Sequence, residues 1–486
     1  MDRRKFLALS SGAVVAKQAV GMALHGLNLP AVKARKSGKA PNVILMICDD
    51  LGFGDLGCYG SKLPTPNLDR MAAEGLRFTR CNAGHPICSA SRAALLTGRY
   101  GARSGTTGAF GPHSKTGTST DETLLSNLFH DRGYATKAIG KWHLGDAPEY
   151  LPTSRGFDSF YGVPYSVDMY PMPLMRDMTI LEPEANRELL TPEYTKEAIE
   201  YIDEHKDEKP FFLYLAFSYP HDPPKASDKF KGKSGLGDQG DSIAEIDWSV
   251  GEVLKAVEKK GITEDTLMLF TSDHGPWYQG SPGALRGRKA STFEGGFRVP
   301  LIAKWPGMVE AGRVVDVPCS NLDMLPSLAT VCGLAKPTKP LDGVDVSRLW
   351  FERDAVVEQP ARLYFEAMSD HGLDLHCIRK GDWKLRVAQG TKGEIYLNDR
   401  TTASRDNAWL ATPELYNLGL DTEESYDVAK FHPEKVKELM EELETLIPSF
   451  PPEVVETYAK LKQNVGNVST PAGASPRLVQ SAAAHG

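Results

Sequence analysis

Residues 42–50 read NVILMICDD, an unbroken apolar run that ends in two adjacent carboxylates. A run without polar alternation suits a strand covered on both faces, the usual state of strands in a parallel sheet. The same shape recurs at PFFLYLAFS (210–218), followed by His221, and at TLMLFTS (266–272), followed by Asp273 and His274. Helical patterns lie between these runs. TPNLDRMAAEGLRF (65–78) has Thr65 as N-cap, Pro66 at the first helical position and Gly75 as the stop. DETLLSNLFHDRG (121–133) ends the same way, and TPEYTKEAIEYIDEH (191–205) opens on Thr191-Pro192. DSIAEIDWSVGEVLKAVEKKG (241–261) puts Ile243, Ile246, Val250, Val253, Leu254 and Val257 on one helical face. This alternation predicts an α/β fold with a large mixed, mostly parallel sheet flanked by helices. In such sheets the loops at the carboxyl ends of strands build the site. Three of the apolar runs end in chemically loaded loops: Asp49-Asp50, His221 and Asp273-His274.

Beyond Asp342 the pattern changes. ARLYFEAM (361–368), HCIRKGDWKLRV (376–387) and GEIYLN (393–398) predict a smaller C-terminal antiparallel sheet, which the amphipathic helix PEKVKELMEELETLI (433–447) would cover. The organisation expected is a catalytic α/β part over 40–341, an α+β subdomain over 342–463 and a disordered tail rich in Ser, Ala, Gly, Pro and Val over 464–486. The first residues differ again. Arg3-Arg4-Lys5-Phe6-Leu7 and a weak apolar stretch broken by Lys17 and His25 are too polar for a membrane-spanning helix. They read as a twin-arginine-like export signal over 1–34, which points to a periplasmic or secreted protein that uses export machinery and makes no stable membrane insertion.

Composition narrows the function classes. With 486 residues, 41% hydrophobic and 24% charged, the chain is an ordinary large globular protein. A net charge of −7 supplies no basic field for nucleic acid. The seven cysteines are odd in number and lack metal-knuckle spacing, so no disulfide framework is expected. Asp49 and Asp50, unpaired, would raise one another's pKa, a problem a hard divalent cation removes. A pair of solvated or helix-capping acids would read the same, but Asp273 at the end of a second strand makes the same demand. Cys88, in HPICSASRAALLTGRYG (85–101), opens a short helix beside Arg92. A thiol in that position is a candidate nucleophile or modification site, although a lone cysteine is more often a small buried hydrophobe.

The segment CSASRAALLTGR (88–99) resembles the sulfatase hallmark: Cys or Ser, any residue, Pro or Ala, Ser, Arg, three residues, Leu or Thr, any residue, Gly, Arg. NVILMICDDLGFGDLGCYG, GKWHLG, PHDP, FTSDHG, LRGRKASTFEGGFRVP and PELYNLGLDTEE resemble further motifs of that family in its order. The members it is most similar to are arylsulfatase-A-like and N-acetylgalactosamine-6-sulfatase-like enzymes of the alkaline phosphatase superfamily. The resemblance implies an alkaline-phosphatase-like fold and a sulfuric ester hydrolase acting on a sulfated small molecule or glycan.

It also implies that a formylglycine-generating maturation enzyme oxidises Cys88 to 3-oxoalanine (formylglycine), whose hydrated aldehyde attacks sulfur and is later regenerated. Asp49, Asp50, Asp273 and His274 fall where the family holds Ca2+, which formylglycine 88 also contacts. Arg92 and His143 match residues that hold the hydrate. Lys141, His221 and Lys289 match sulfate-binding groups, with His221 the one placed to protonate the leaving alcohol. Sulfuryl transfer loads negative charge on nonbridging and leaving oxygens, so a metal, cations and a general acid are what the chemistry needs. Each side chain alone has a plain reading: Lys141 a turn lysine, His143 a core histidine, Arg92 a helical ion pair. His274 stands where many relatives have Asn, Ala90 where the commonest maturation signal has Pro, and Glu294-Gly295-Gly296 is expected to shape the loop near Lys289. Two other functions stay open here: a phosphonate monoester or phosphodiester hydrolase of the same superfamily, and a non-catalytic sulfated-glycan binding protein. Loops 164–184 and 225–240 are expected to line the leaving-group pocket, with Tyr165, Met169, Tyr170 and Met175 either facing a sugar or anchoring their loop.

Overall fold

The computed structural model describes residues 40–206, 208–366, 373–390 and 407–465. The expected export signal, the GEIYLN segment and residues 466–486 lie outside the described residues, while Asn464 accepts from the Trp409 N–H at 3.0 Å. Within the unit that begins at Ala40, strands β1 (Asn42–Cys48), β2 (Leu76–Asn82), β3 (Ala135–Lys141), β4 (Ser159–Val163), β5 (Leu174–Arg176) and β6 (Thr179–Glu182) come first. They are followed by β7 (Phe211–Ala216), β8 (Thr266–Ser272), β9 (Arg298–Lys304), β10 (Arg313–Val315) and the two-residue β11 (Cys319–Ser320). All eleven join one sheet in the order β10-β2-β9-β8-β1-β7-β3-β4-β5-β6, with β11 beside β2. The centre, β8-β1-β7-β3-β4, is parallel throughout, and β9, β5 and β6 pair antiparallel with their neighbours.

The apolar runs sit where two-sided burial requires them. Val43 to Cys48, Phe211 to Leu215 and Leu267 to Phe270 are all buried. Helix Gly237–Lys260 turns Ile243, Ile246, Val250, Val253, Leu254 and Val257 into the core and stops at Gly261 in the left-handed region. Helix Pro66–Ala73 does begin at Pro66, but its last cap is Glu74. Gly75 answers a different need: a Cβ there would stand 2.2 Å from the Ala303 carbonyl oxygen of β9. Helix Leu190–Glu204 starts one residue before Thr191, so Pro192 lies inside the first turn, where its missing N–H has no partner to lose.

The C-terminal sheet, β12 (Arg362–Phe365), β13 (Leu375–Lys380), β14 (Trp383–Gln389) and β15 (Ala408–Asn417), is antiparallel in that order. Helix Pro433–Leu446 covers it through Leu439 and Leu443. A buried charge network runs from this sheet to the loop of β9. Glu294, fully buried, accepts from Asn82 (3.1 Å), Arg298 (2.8 Å), Arg379 (3.3 Å), Lys384 (3.2 Å) and Tyr364 (3.1 Å). Burial alone would raise its pKa, but Lys384, Arg379 and Arg298 outweigh that and hold the carboxyl well below its usual range. Glu294→Ala takes the carboxylate from Arg298 and Arg379 and leaves Lys384 with Glu424 alone, at 2.9 Å, and is expected to cost about 3–5 kcal/mol. The measurement is a lower denaturant midpoint at unchanged slope; an unshifted midpoint would show that the network contributes nothing net.

Candidate active site

Strands β1, β7 and β8 run in step, with Ile47 opposite Ala216 and Cys48 opposite Ser272. Just past them the Asp49 N–H donates to the Tyr219 carbonyl and the Asp273 N–H to the Cys48 carbonyl, both at 3.1 Å. Strands lie about 4.8 Å apart, so register alone gathers Asp49, Asp273 and the His221 loop on one sheet edge. Lys141 ends β3, whose Gly140 pairs with Ala216 at φ +102°; a Cβ there would meet the Ala216 oxygen at 1.8 Å. Helix Cys88–Thr97 opens on Cys88 and brings Arg92 to the same face one turn later. The Lys289 loop is held by Gly295 N–H to Arg286 O (2.7 Å) and Gly275 N–H to Gly296 O (2.9 Å).

The side chains form one buried cluster. Arg92 reaches Asp273 Oδ2 through Nε (3.1 Å) and Nη2 (3.0 Å), lies 3.6 Å from Asp49 Oδ1 and donates to the Lys141 carbonyl at 3.1 Å. Lys141 pairs with Asp49 and donates to Ser166 Oγ at 3.0 Å. Lys289 Nζ lies 2.7 and 3.0 Å from the two oxygens of Asp50 and 3.5 Å from Cys88 Sγ. His274 Nε2 is 3.3 Å from that sulfur, and its Nδ1 is 2.9 Å from the Gly275 carbonyl. A carbonyl only accepts, so Nδ1 carries hydrogen and Nε2 is the ring nitrogen that faces the cluster. His221 Nδ1 likewise carries hydrogen, 2.6 Å from the Asp222 carbonyl, and its Nε2 is 3.8 Å from Asp50 and 3.4 Å from Ser166. His143 is peripheral in hydrogen bonding: its Nε2 meets the Phe110 carbonyl at 2.9 Å.

Charge follows geometry. Burial would raise Asp49, but Lys141, His221 and Arg92 hold it well below the carboxylate range; Asp50 is lowered against burial by His221 and Lys289. Asp273 is raised, first by burial and then by Asp49. Burial lowers His221, yet Asp50 and Asp49 outweigh it and hold the imidazole above its ordinary value. His143 is driven well down by burial and by Lys141. Asp50 (φ 62°) and His143 (φ 61°) occupy the left-handed region, at a cost of about 1–2 kcal/mol each, as expected where neighbouring structure fixes a functional group.

Asp49, Cys88, Asp273 and His274, and likewise Asp49, Asp50, Cys88 and His221, offer ligand atoms within 4.8 Å of one another. Asp49 Oδ1 is buried with no hydrogen-bond partner. Three carboxylates, one with an orphaned oxygen, fit a hard, oxygen-seeking cation such as Ca2+, and His274 Nε2 faces the same space.

All ten residues singled out from the sequence therefore reach the same edge. Sequence reasoning passed over Ser166, which bridges Lys141 and His221, and Ser272, whose hydroxyl accepts from the Leu51 N–H at 3.1 Å and donates to the His274 carbonyl at 3.0 Å. Neither has a signal beyond its position next to a site element. His85, three residues before Cys88, is buried with both ring nitrogens unpaired, and burial pushes it down to about 3. Of the pocket candidates, Tyr165 and Met175 are core residues, and exposed Tyr170 carries the Arg187 guanidinium 4.1 Å above its ring.

A family model described as Sulfatase matches residues 41–334. Arylsulfatase A of Homo sapiens is 35% identical over 428 residues, covering 80% of this chain and 83% of that protein. N-acetylgalactosamine-6-sulfatase of Rattus norvegicus is 39% identical over 413 residues, covering 78% and 76%. Among solved structures, Ps i-CgsB in complex with k-i-k-neocarrahexaose is similar at a TM-score of 0.72 and 29% identity, over 84% of this chain and 92% of that one.

Proposed function

The chain belongs to the sulfatase family and is a sulfuric ester hydrolase, and from that premise we propose that it removes sulfate from a carbohydrate ester at a formylglycine made from Cys88 beside a bound Ca2+. The observation that carries this reading is Cys88 Sγ lying 3.3 Å from His274 Nε2 and 3.5 Å from Lys289 Nζ, inside a buried cluster of three aspartates. The sulfur marks where the modified side chain would project, and formylglycine there would supply a nucleophilic hydroxyl, that of its hydrated aldehyde, for the sulfate ester. Asp49, Asp50, Asp273 and His274 would hold Ca2+, which supplies positive charge against the sulfate oxygens.

The chain's own residues do the rest. Lys141 and Lys289 bind the nonbridging oxygens, where negative charge grows in the transition state. Arg92 and His143 orient the hydrate. His221 holds a proton at Nε2, since Asp50 keeps it above its ordinary value, and delivers it to the leaving alcohol. A carbohydrate ester is favoured by an N-acetylgalactosamine-6-sulfatase relative and by the oligosaccharide bound to a similar structure. We assign residues 40–341 to catalysis and 342–463 to a supporting subdomain. Arg3-Arg4 heads a signal that takes the protein to the periplasm or beyond.

The test is the mass of the Cys88 peptide from protein co-expressed with a maturation enzyme, alongside sulfate release from 4-methylumbelliferyl sulfate and turnover of bis(4-nitrophenyl) phosphate. Aldehyde in place of thiol, with the sulfate ester preferred, is the expected result. A persistent thiol, or a faster phosphodiester reaction, would overturn the reading.

A further inference from the structure

A cavity of about 560 Å3 is bordered by the segments that follow Asp50 and precede Lys289, and none of the cluster residues lines it. That size suits one small ligand. Its lining includes Phe53, Tyr59, Arg77, Arg80, Leu285 and Arg298. Phe53 and Tyr59 meet edge to face, 4.8 Å between centroids at 66°. The Tyr59 hydroxyl is spent on the backbone, donating to the Phe78 carbonyl at 2.9 Å and accepting from the Leu301 N–H at 3.0 Å. The pair is a fixed apolar platform rather than a polar contact.

The three arginines are not equivalent. Arg80 is paired with Asp382 and Arg298 with Glu294 at 2.8 Å. Among the described residues no carboxylate lies within ion-pair range of Arg77; its guanidinium stands 5.5 Å from the centroid of the Tyr59 ring. The aspartate on the wall, Asp316, accepts from the Thr79 hydroxyl. An aromatic platform with one unpaired guanidinium suits a sugar ring that carries an anionic group: apolar C–H face on the rings, sulfate or carboxylate against the fork of Arg77.

Position ties the cavity to the reaction centre. Phe53 is three residues from Asp50 and Leu285 four from Lys289, so their Cα atoms lie at most about 11 and 14 Å apart. The two loops are also joined, Gly54 N–H to Ser281 O at 2.9 Å and Ser281 N–H to Asp55 Oδ1 at 2.8 Å. We propose that this cavity is a second subsite, which binds a sulfated or carboxylated sugar unit of a longer chain whose reacting ester lies at Cys88. The proposal rests on the carbohydrate sulfatase reading.

The experiment is calorimetric titration of hexa- and disaccharides of chondroitin 6-sulfate and of carrageenan into the full chain carrying Cys88→Ala, which prevents turnover. At least one hexasaccharide is expected to bind more tightly than its disaccharide. Arg77→Gln and Phe53→Ala should each weaken that hexasaccharide about tenfold and leave the disaccharide unchanged. Arg77→Lys should recover part of the loss, and Arg70→Gln, a surface control, should lose nothing. Equal affinity for the two lengths, no effect of Arg77→Gln, or no binding by any hexasaccharide overturns the subsite. Turnover of 4-methylumbelliferyl sulfate by the matured parent separates the two ideas. Cleavage without a length effect sinks the subsite alone; a length effect without cleavage supports the subsite and sinks the sulfatase reading.

Discussion

Cys88→Ala in the matured enzyme is expected to lower kcat/KM on an aryl sulfate by at least about 10⁴-fold, the scale on which removing a covalent nucleophile acts. The fold should hardly register the change. Cys88 is buried at the first position of helix Cys88–Thr97, and alanine suits that helix better than cysteine. The residues around it pair with one another: Lys289 with Asp50, Arg92 with Asp273, Lys141 with Asp49. None of them loses its charge partner when the sulfur goes. The prediction thus separates chemistry from stability, with kcat/KM collapsing while the thermal midpoint stays within a few degrees. Retention of more than about one per cent of parental activity would remove Cys88 from the reaction. A large drop in the midpoint would mean that the thiol is a packing group, the plain reading that its burial also permits.

Much of this site could be read before any coordinates because parallel strands place chemistry by register. NVILMIC and TLMLFTS have uninterrupted apolar centres, Val43–Cys48 and Leu267–Phe270, that mark them as buried strands, and the first residues beyond them, Asp49 and Asp273, come to lie side by side. The antiparallel edges were less legible. Strands β5 and β6 have three and four residues, and β6 is fully exposed, so no periodic signal announces them. Helix starts at Leu125 and Leu190 lack a side-chain cap from the residue before them, which leaves the Ser, Thr or Asp signal displaced. Partners drawn from distant segments were invisible. Glu294 was readable as a loop former near Lys289, but its cations Arg379 and Lys384 lie more than eighty residues away on the second sheet. Ser166 shows the same limit, since only folding reveals a serine between two catalytic candidates.

Removing divalent metal should silence the enzyme reversibly without unfolding it. Three buried aspartates share one sheet edge, and a site with no cation beside it would be held apart by their repulsion. Here Lys141, Lys289 and Arg92 each take one carboxylate, so the protein keeps its charge balance when a metal is stripped. Lys141 and Lys289 are also the groups assigned to the sulfate oxygens, and a lysine spent on an aspartate is less available to the substrate. EGTA treatment should therefore reduce activity to background, and Ca2+ should restore it. Ca2+ should also raise the thermal midpoint, by mass action worth about 2.7 kcal/mol at a hundredfold excess over Kd. Asp49→Asn supplies the specific control. Its Oδ1 has no hydrogen-bond partner, so the amide removes charge where a ligand is wanted while a neutral oxygen can still accept from Lys141. That variant should fold, lose about 10²–10³-fold in kcat/KM on the scale of a missing electrostatic contact, and show a smaller Ca2+-dependent shift of its midpoint. Full activity in protein shown by elemental analysis to hold no divalent metal would refute the metal site. So would an Asp49→Asn variant whose midpoint responds to Ca2+ as the parent's does.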